Sequence, residues 1–388
     1  MSPGPDLWPD PAQRLALIAA TADVGEAVDA WRELVGRFDL AELWDPEVYR
    51  LLPLVWHRLG DDVGGAHVER LKGAYRKAWV TNQHLQRCAA EAVVGLEADG
   101  VESLVVSGLA LGPLVYDDAA TRPTHTADLL VRPGDAGRAW HRLEALGYRT
   151  RAVPTRTPRR WRADTDDAWF HRTGRPRSFT RGPLDAVEVH TSLVDPPSGR
   201  PGPPRPTDLH RGAWDDAVPI DLGGRTVRTL SPSHHLLRAL AGGAGGDLRS
   251  TVDALTISRR PAGEVDWSAV VESGHRHHLG LRLADGLARL DHLGADLPHG
   301  LRSETLRPRP DRRERLAHRL AAGATTDAGG DRLVAARLVA ATRGTGPLTT
   351  VARGPRLVAD HWQVDHPRHL PLVVVWRLRE AGREHRRR

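Results

Sequence analysis

Cys88 is the only cysteine of the 388 residues, which excludes a disulfide framework and any cysteine-rich zinc site. Lysine is almost as scarce. Only Lys72 and Lys77 occur, so arginine carries nearly all of the basic charge behind the formal net value of +6. A basic balance suits a polyanionic partner, but these arginines are scattered rather than gathered on one predicted face, which argues against nucleic acid. Long apolar runs are missing as well: none approaches the ~20 residues of a spanning helix. The first residues, MSPGPDLWPDPAQ, lack a basic stretch followed by an apolar one. The sequence therefore reads as cytoplasmic and without a membrane partner. The nearest membrane candidate, LPLVVVW at 370–376 with the Arg-rich tail RLREAGREHRRR behind it, is too short to span and reads as a buried terminal element.

A hydrophobic content of 40 % over this length is enough for real cores and for two or three domains. No internal repeat is visible. Residues 12 to 95 read as helices, the clearest from about His67 to Glu97, where Leu71, Tyr75, Ala78, Leu85, Ala89 and Val93 fall near helical spacing. Gly100 ends it. Short elements follow: SLVVSG at 103–108 as a buried strand, a short helix through LALGPLVY, and ADLLVRP as a second strand. In GDAGRAWHRLEALGY, Asp135 is placed to cap a helix whose stripe is Ala139, Leu143 and Leu146. The strand, helix, strand, helix order implies a mixed α and β layer.

Residues 151–183 are Arg-rich and read as irregular. In LDAVEVHTSL the alternation puts Val187, Val189 and Thr191 on one face and Ala186, Glu188 and His190 on the other. PPSGRPGPPRP at 196–206 reads as a proline loop, and VPIDLGGRTVRTL as a hairpin turning at Gly223 and Gly224. From SPSHHLLRAL onwards, with Ser231 or Ser233 as N-cap, helices dominate. HRHH at 275–278 has the composition of a metal cluster but no carboxylate or cysteine at matching spacing, so it reads as a polar helix face. Tyr116 and Trp140 read as core, whereas Trp161 and Trp169, beside many arginines, are candidates for stacking on a base.

The residues that carry chemistry lie in RPTHTADLLVRP, 122–133. Two carboxylates two apart on one strand share a face and can hold a hard cation such as Mg²⁺. Here the pair of positions is Thr126 and Asp128, with Glu188 and His190 on the next convincing strand. By the same alternation His125 points away from Asp128.

Several motifs, in order, resemble the bacterial uncharacterised nucleotidyltransferase family, a divergent branch of the polymerase-β-like nucleotidyltransferase superfamily. LVVSGLALGPLVY resembles the family's LL-LKG-AL---LY, RPTHTADLLVRPGDAGRAWHRLEALGY resembles RP--D-DLLV-P-D---A---L--LGY, and VEVH resembles its E-H strand. RLLPLVWHRL and RLKGAYRKAW upstream, and LSPSHHLL, RSTVDALTI with Asp253 and VDWSAVVE with Trp267 downstream, complete a likeness over roughly residues 50 to 300. The family's first metal aspartate falls on Thr126 and its lysine before glycine on Ser107, while Asp128, Glu188 and His190 remain.

The resemblance implies an α+β fold: a nucleotidyltransferase-like small mixed sheet flanked by helices, pictured with its helices on one side, at 96–230. A helical N-terminal region occupies 1–95 and a helical C-terminal region 231–388. It implies Mg²⁺, with Mn²⁺ as a substitute, and an NTP as substrate or ligand. Asp128 and Glu188 are the expected catalytic and metal-holding residues; Ser107, Gly108, Thr126, Arg122 and His190 are the expected nucleotide-binding ones. The expected reaction moves an NMP from the NTP to a hydroxyl of a small molecule or peptide, at a partly degenerate metal site. The alternative is a pseudoenzyme of the same fold that binds a nucleotide or a protein partner.

Overall fold

The computed structural model describes residues 9–40, 45–116, 118–153, 155, 157–194, 208–242, 247–305, 310, 312–322 and 347–385. The proline loop expected at 196–206 lies outside the described residues. Four helices lead: α1 (Pro11–Thr21), α2 (Val24–Arg37), α3 (Pro46–Leu59) and the long α4 (Gly65–Ala98). Along α4 the buried residues Leu71, Ala78, Leu85, Ala89, Val93 and Leu96 recur near the helical period, which gives the helix one continuous apolar stripe. Gly100, at φ 66°, turns the chain back towards the sheet.

Seven strands follow: β1 (Ser103–Val106), β2 (Ala127–Val131), β3 (Arg149–Thr150), β4 (Arg177–Arg181), β5 (Asp185–His190), β6 (Val218–Asp221) and β7 (Thr226–Thr229). They form a single sheet in the order β3-β4-β5-β2-β1-β7-β6. The β2–β5 and β1–β7 pairs are parallel and the others antiparallel. Gly223 and Gly224, both at positive φ, make the turn of the β6–β7 hairpin where the dipeptide predicts it. Between the strands lie α5 (Ser107–Val115), α6 (Ala136–Ala145), α7 (Asp167–Thr173) and α8 (Asp208–Asp215). Beyond them come α9 (Pro232–Gly242), α10 (Leu248–Ser258), α11 (Trp267–Arg276) and α12 (Gly280–His292).

Strand alternation decides what each face meets. Val105, Ala127, Leu129, Val131, Val187 and Val189 point into one apolar cluster with α4, α6 and α7. Leu104, Val106 and Leu130 point into a second cluster built from α9 to α12. Helices thus cover both faces rather than one. A fully buried Val or Leu contributes roughly 1.5–3 kcal/mol, so a one-residue slip, which would swap the faces of a whole strand, is strongly disfavoured.

Three further expectations change. Residues 151–183 hold β4, bonded to β5, and the short α7, so they are not irregular. Trp169 is not open for stacking: it is fully buried, its indole N–H donating to the Asp360 carbonyl at 3.2 Å, while Trp161 packs beside Trp362 and Leu370 in a small cluster. The run 370–376 lies in the helix Leu370–His385 and is not a buried element as a whole. Val373 is buried there, but Leu372, Val374 and Val375 are exposed. Among the described residues no helix is long and apolar enough to cross a membrane.

One buried polar knot ties the loop before β2 to α10. The Arg122 guanidinium donates through Nε and Nη2 to the two oxygens of Asp253, at 2.7 and 2.6 Å, and the Tyr116 hydroxyl donates to the same carboxylate at 2.7 Å. Removing one partner of such a pair leaves a buried charge uncompensated. Asp253→Ala is therefore expected to lower the free energy of unfolding by about 3–5 kcal/mol, read from urea titrations followed by circular dichroism; a change within about 0.5 kcal/mol, the range of a plain surface substitution, contradicts the role given to the knot.

Candidate active site

The parallel register between β2 and β5 sets Asp128 opposite Glu188 and Leu130 opposite His190. Because side chains two apart share a face, Glu188 and His190 project to the side on which Asp128 stands. Ligand atoms of Asp128, Glu188 and His190 all come within 4.8 Å of one another, and His190 Nε2 is 4.0 Å from Asp128 Oδ1. Thr126, just before β2, joins them: its hydroxyl donates to Asp128 Oδ1 at 2.6 Å. Four of the residues singled out by the sequence therefore meet in one place.

Ser107 and Gly108 reach the same end of the sheet. Val106 pairs with Asp128 across the antiparallel β1–β2 ladder, and the chain turns from β1 into α5 at the next residue. Ser107 holds φ 60°, one of the few positive values at a non-glycine residue. Such a backbone persists only where its surroundings enforce it, and it clusters at functional turns. Gly108 shows part of that enforcement: a Cβ there would stand 2.2 Å from the Thr124 hydroxyl and 3.1 Å from Arg122 Nη1. The loop before β2 is packed directly against the turn after β1.

Arg122 lies beside this turn, with its guanidinium turned to protein partners. With Nε and Nη2 on Asp253 and Nη1 donating to the Pro123 carbonyl at 3.0 Å, its guanidinium is engaged in shaping the loop, beneath Gly108. Asn82 of α4 does similar work. Its amide donates to the carbonyls of Ala119 and Arg122 at 2.6 and 2.9 Å, and its oxygen accepts from the Thr124 N–H at 3.1 Å.

The surroundings of the motif are positive. Partial burial and then the charges of Arg249, Arg50, Lys77 and Arg122 hold the His125 imidazole below its ordinary value. Arg50 lies on α3, Lys77 on α4 and Arg249 on α10, so three helices far apart in sequence deliver cations to one place. Glu47 and Asp247 balance part of this charge, and the Glu47 carboxyl is pushed up by burial and by Asp247 beside it. The scattered arginines of the sequence gave no signal of this convergence. His275 and its neighbours, in contrast, enter no three-residue group of metal-type ligands among the described residues.

Chemically, two carboxylates, an imidazole and a hydroxyl at one point suit a divalent cation, and with it the phosphates that such a cation binds. No curated protein and no solved structure matches the chain. The sequence pattern of the uncharacterised nucleotidyltransferase family matches residues 47–294, which is well over half of the chain and includes the sheet and every element from α4 to α12. The chain belongs to the uncharacterised nucleotidyltransferase family.

Proposed function

We propose that the chain moves an NMP unit from an NTP to a hydroxyl of a small molecule or peptide, at the cleft formed by Asp128, Glu188 and His190. The observation that carries this reading is the β2–β5 register, which sets Asp128 and Glu188 level and brings His190 to the same point. Asp128 and Glu188 supply the hard oxygen donors that Mg²⁺ prefers, whereas the imidazole of His190 is a donor that Mn²⁺ accepts more readily. A divalent cation held there neutralises charge that develops on the transferring phosphoryl group. Glu188 is the residue for accepting the proton of the acceptor hydroxyl, because a carboxylate facing the reacting centre can act as a general base. The Ser107–Gly108 turn, at the same end of the sheet, is the part of the backbone assigned to the phosphates.

A second reading rests on Thr126. A hydroxyl brings no charge to the cation, and here it already donates to Asp128. That arrangement favours a protein that binds a nucleotide or a partner in the cleft without turning it over.

Both readings are tested by calorimetric titration of each NTP with and without Mg²⁺ or Mn²⁺. Asp128→Asn keeps the shape of the side chain and removes its charge, so metal-dependent NTP affinity should fall by at least about tenfold, or 1.4 kcal/mol. Unchanged affinity in a folded variant removes Asp128 from the site. Thr126→Asp restores two same-face carboxylates, and Mg²⁺-dependent NTP binding should tighten by a comparable factor. If the native protein already turns over NTP with ordinary Mg²⁺ dependence, Thr126 is a tolerated ligand and the second reading fails. If Thr126→Asp folds and gains nothing, the second reading stands.

A further inference from the structure

A second group of metal-type ligands lies on the opposite face of β5. His84 and Cys88 are four apart on α4, so they project from one side of that helix. Asp185 opens β5 and, being two residues before Val187, faces α4 with it. Ligand atoms of His84, Cys88 and Asp185 lie within 4.8 Å of one another. From this geometry we infer that His84, Cys88 and Asp185 form a binding site for a zinc-type divalent cation, distinct from the Asp128–Glu188–His190 cleft.

The donor set decides the class of ion. One thiolate, one imidazole and one carboxylate match the sulfur, nitrogen and oxygen ligands of Zn²⁺ and of Co²⁺, and are a poor match to Mg²⁺ or Ca²⁺. Three protein ligands leave one tetrahedral position for water. Access comes from the side of His84, whose ring is more than a third exposed, while Cys88 is 3 % exposed and forms the floor.

The surrounding shell holds the ligands in place. His84 Nε2 and Asp185 Oδ1 are hydrogen-bonded to each other, and a bound cation would take the place of that contact. The other oxygen, Oδ2, accepts from Arg181 Nε at 3.0 Å, and Arg181 is clamped in turn by both oxygens of Glu91 at 2.7 and 2.6 Å. Partners of this kind fix the orientation of metal ligands. The positive charge of Arg181 is balanced by Glu91, so an arriving cation does not meet an uncompensated guanidinium. Cys88 is a buried thiol outside any disulfide. Binding breaks the S–H bond, forms a sulfur–metal bond and releases the proton to solvent. The cation's charge is then matched by one thiolate and one carboxylate. The effect on the fold is a staple between α4 and the start of β5.

Because Cys88 is the only cysteine, a thiolate–metal signal assigns itself. The test is a Co²⁺ titration of the full chain, stripped with a chelator and desalted, followed by absorption. A thiolate-to-cobalt charge-transfer band should grow to saturation at equimolar metal, disappear on adding Zn²⁺, and be accompanied by a rise in the thermal unfolding midpoint. Loss of an outer-shell partner alone weakens metal sites by about tenfold or more, so His84→Ala, which removes a ligand, should weaken binding beyond that, as should Asp185→Asn. Asp128→Asn and Glu188→Gln should leave the band unchanged. No band in the folded native protein at excess Co²⁺ overturns the site. So does a band that survives His84→Ala at full affinity, which would mean that the thiol binds alone.

Discussion

Backbone hydrogen bonds between β2 and β5 hold Asp128 level with Glu188 and bring His190 to the same point, and the chemistry proposed for this chain depends on that pairing. Parallel strands cannot be joined by a tight turn. The sequence between β2 and β5 therefore has to leave the sheet, and it returns as α6, α7 and the antiparallel β4 that covers β5 from its other edge. What keeps the pairing in register is the apolar side of the same residues. Ala127, Leu129, Val187 and Val189 are all buried under α4, α6 and α7, so the polar side is fixed without any polar contact having to enforce it.

Helices from both ends of the family region shape the loop that leads into this pair. Asn82 on α4 and Asp253 on α10 grip the loop that precedes β2, one through its backbone and the other through Arg122. Arg50, Lys77 and Arg249 arrive on α3, α4 and α10 to make the surroundings of His125, in that loop, positive. Strand β5 is shared between the two faces of the sheet, with Glu188 and His190 on one and Asp185 on the other. A cation bound by His84, Cys88 and Asp185 would stiffen the start of the strand whose next polar positions enter the cleft.

Much of this was legible in the sequence, for identifiable reasons. The helical period of α4, the glycine pair of the β6–β7 turn and the alternation of β2 and β5 are local patterns, and each appears where its residues place it. Strand period puts Glu188 and His190 on one face, but it is weak evidence by itself, and Asp128 on another strand was joined to them through the family resemblance. The Arg-rich segment misled because composition stood in for environment. Arg177 in β4 is 6 % exposed, its guanidinium lying 4.8, 5.0 and 5.3 Å from the rings of Trp140, Phe170 and Phe179 while it pairs with Asp167. An arginine packed in this way looks like a loop residue until its aromatic partners are known. Trp169 hid for the same reason, since the carbonyl it meets, Asp360, is 191 residues away. In 370–376 consecutive apolar residues wind around a helix, so they cannot all face one core; Val373 does, and its neighbours do not.

In the proposed reaction Asp128, Glu188 and His190 hold one cation against the phosphates of a nucleotide. Anomalous diffraction from crystals grown with Mn²⁺ and a non-hydrolysable NTP tests it most directly, because the scattering of manganese locates the ion independently of the chain. The account predicts an anomalous peak in contact with Asp128, Glu188 and His190, with the triphosphate running towards the Ser107–Gly108 turn. A nucleotide bound with no anomalous peak at these three residues, or bound in another part of the molecule, would contradict it.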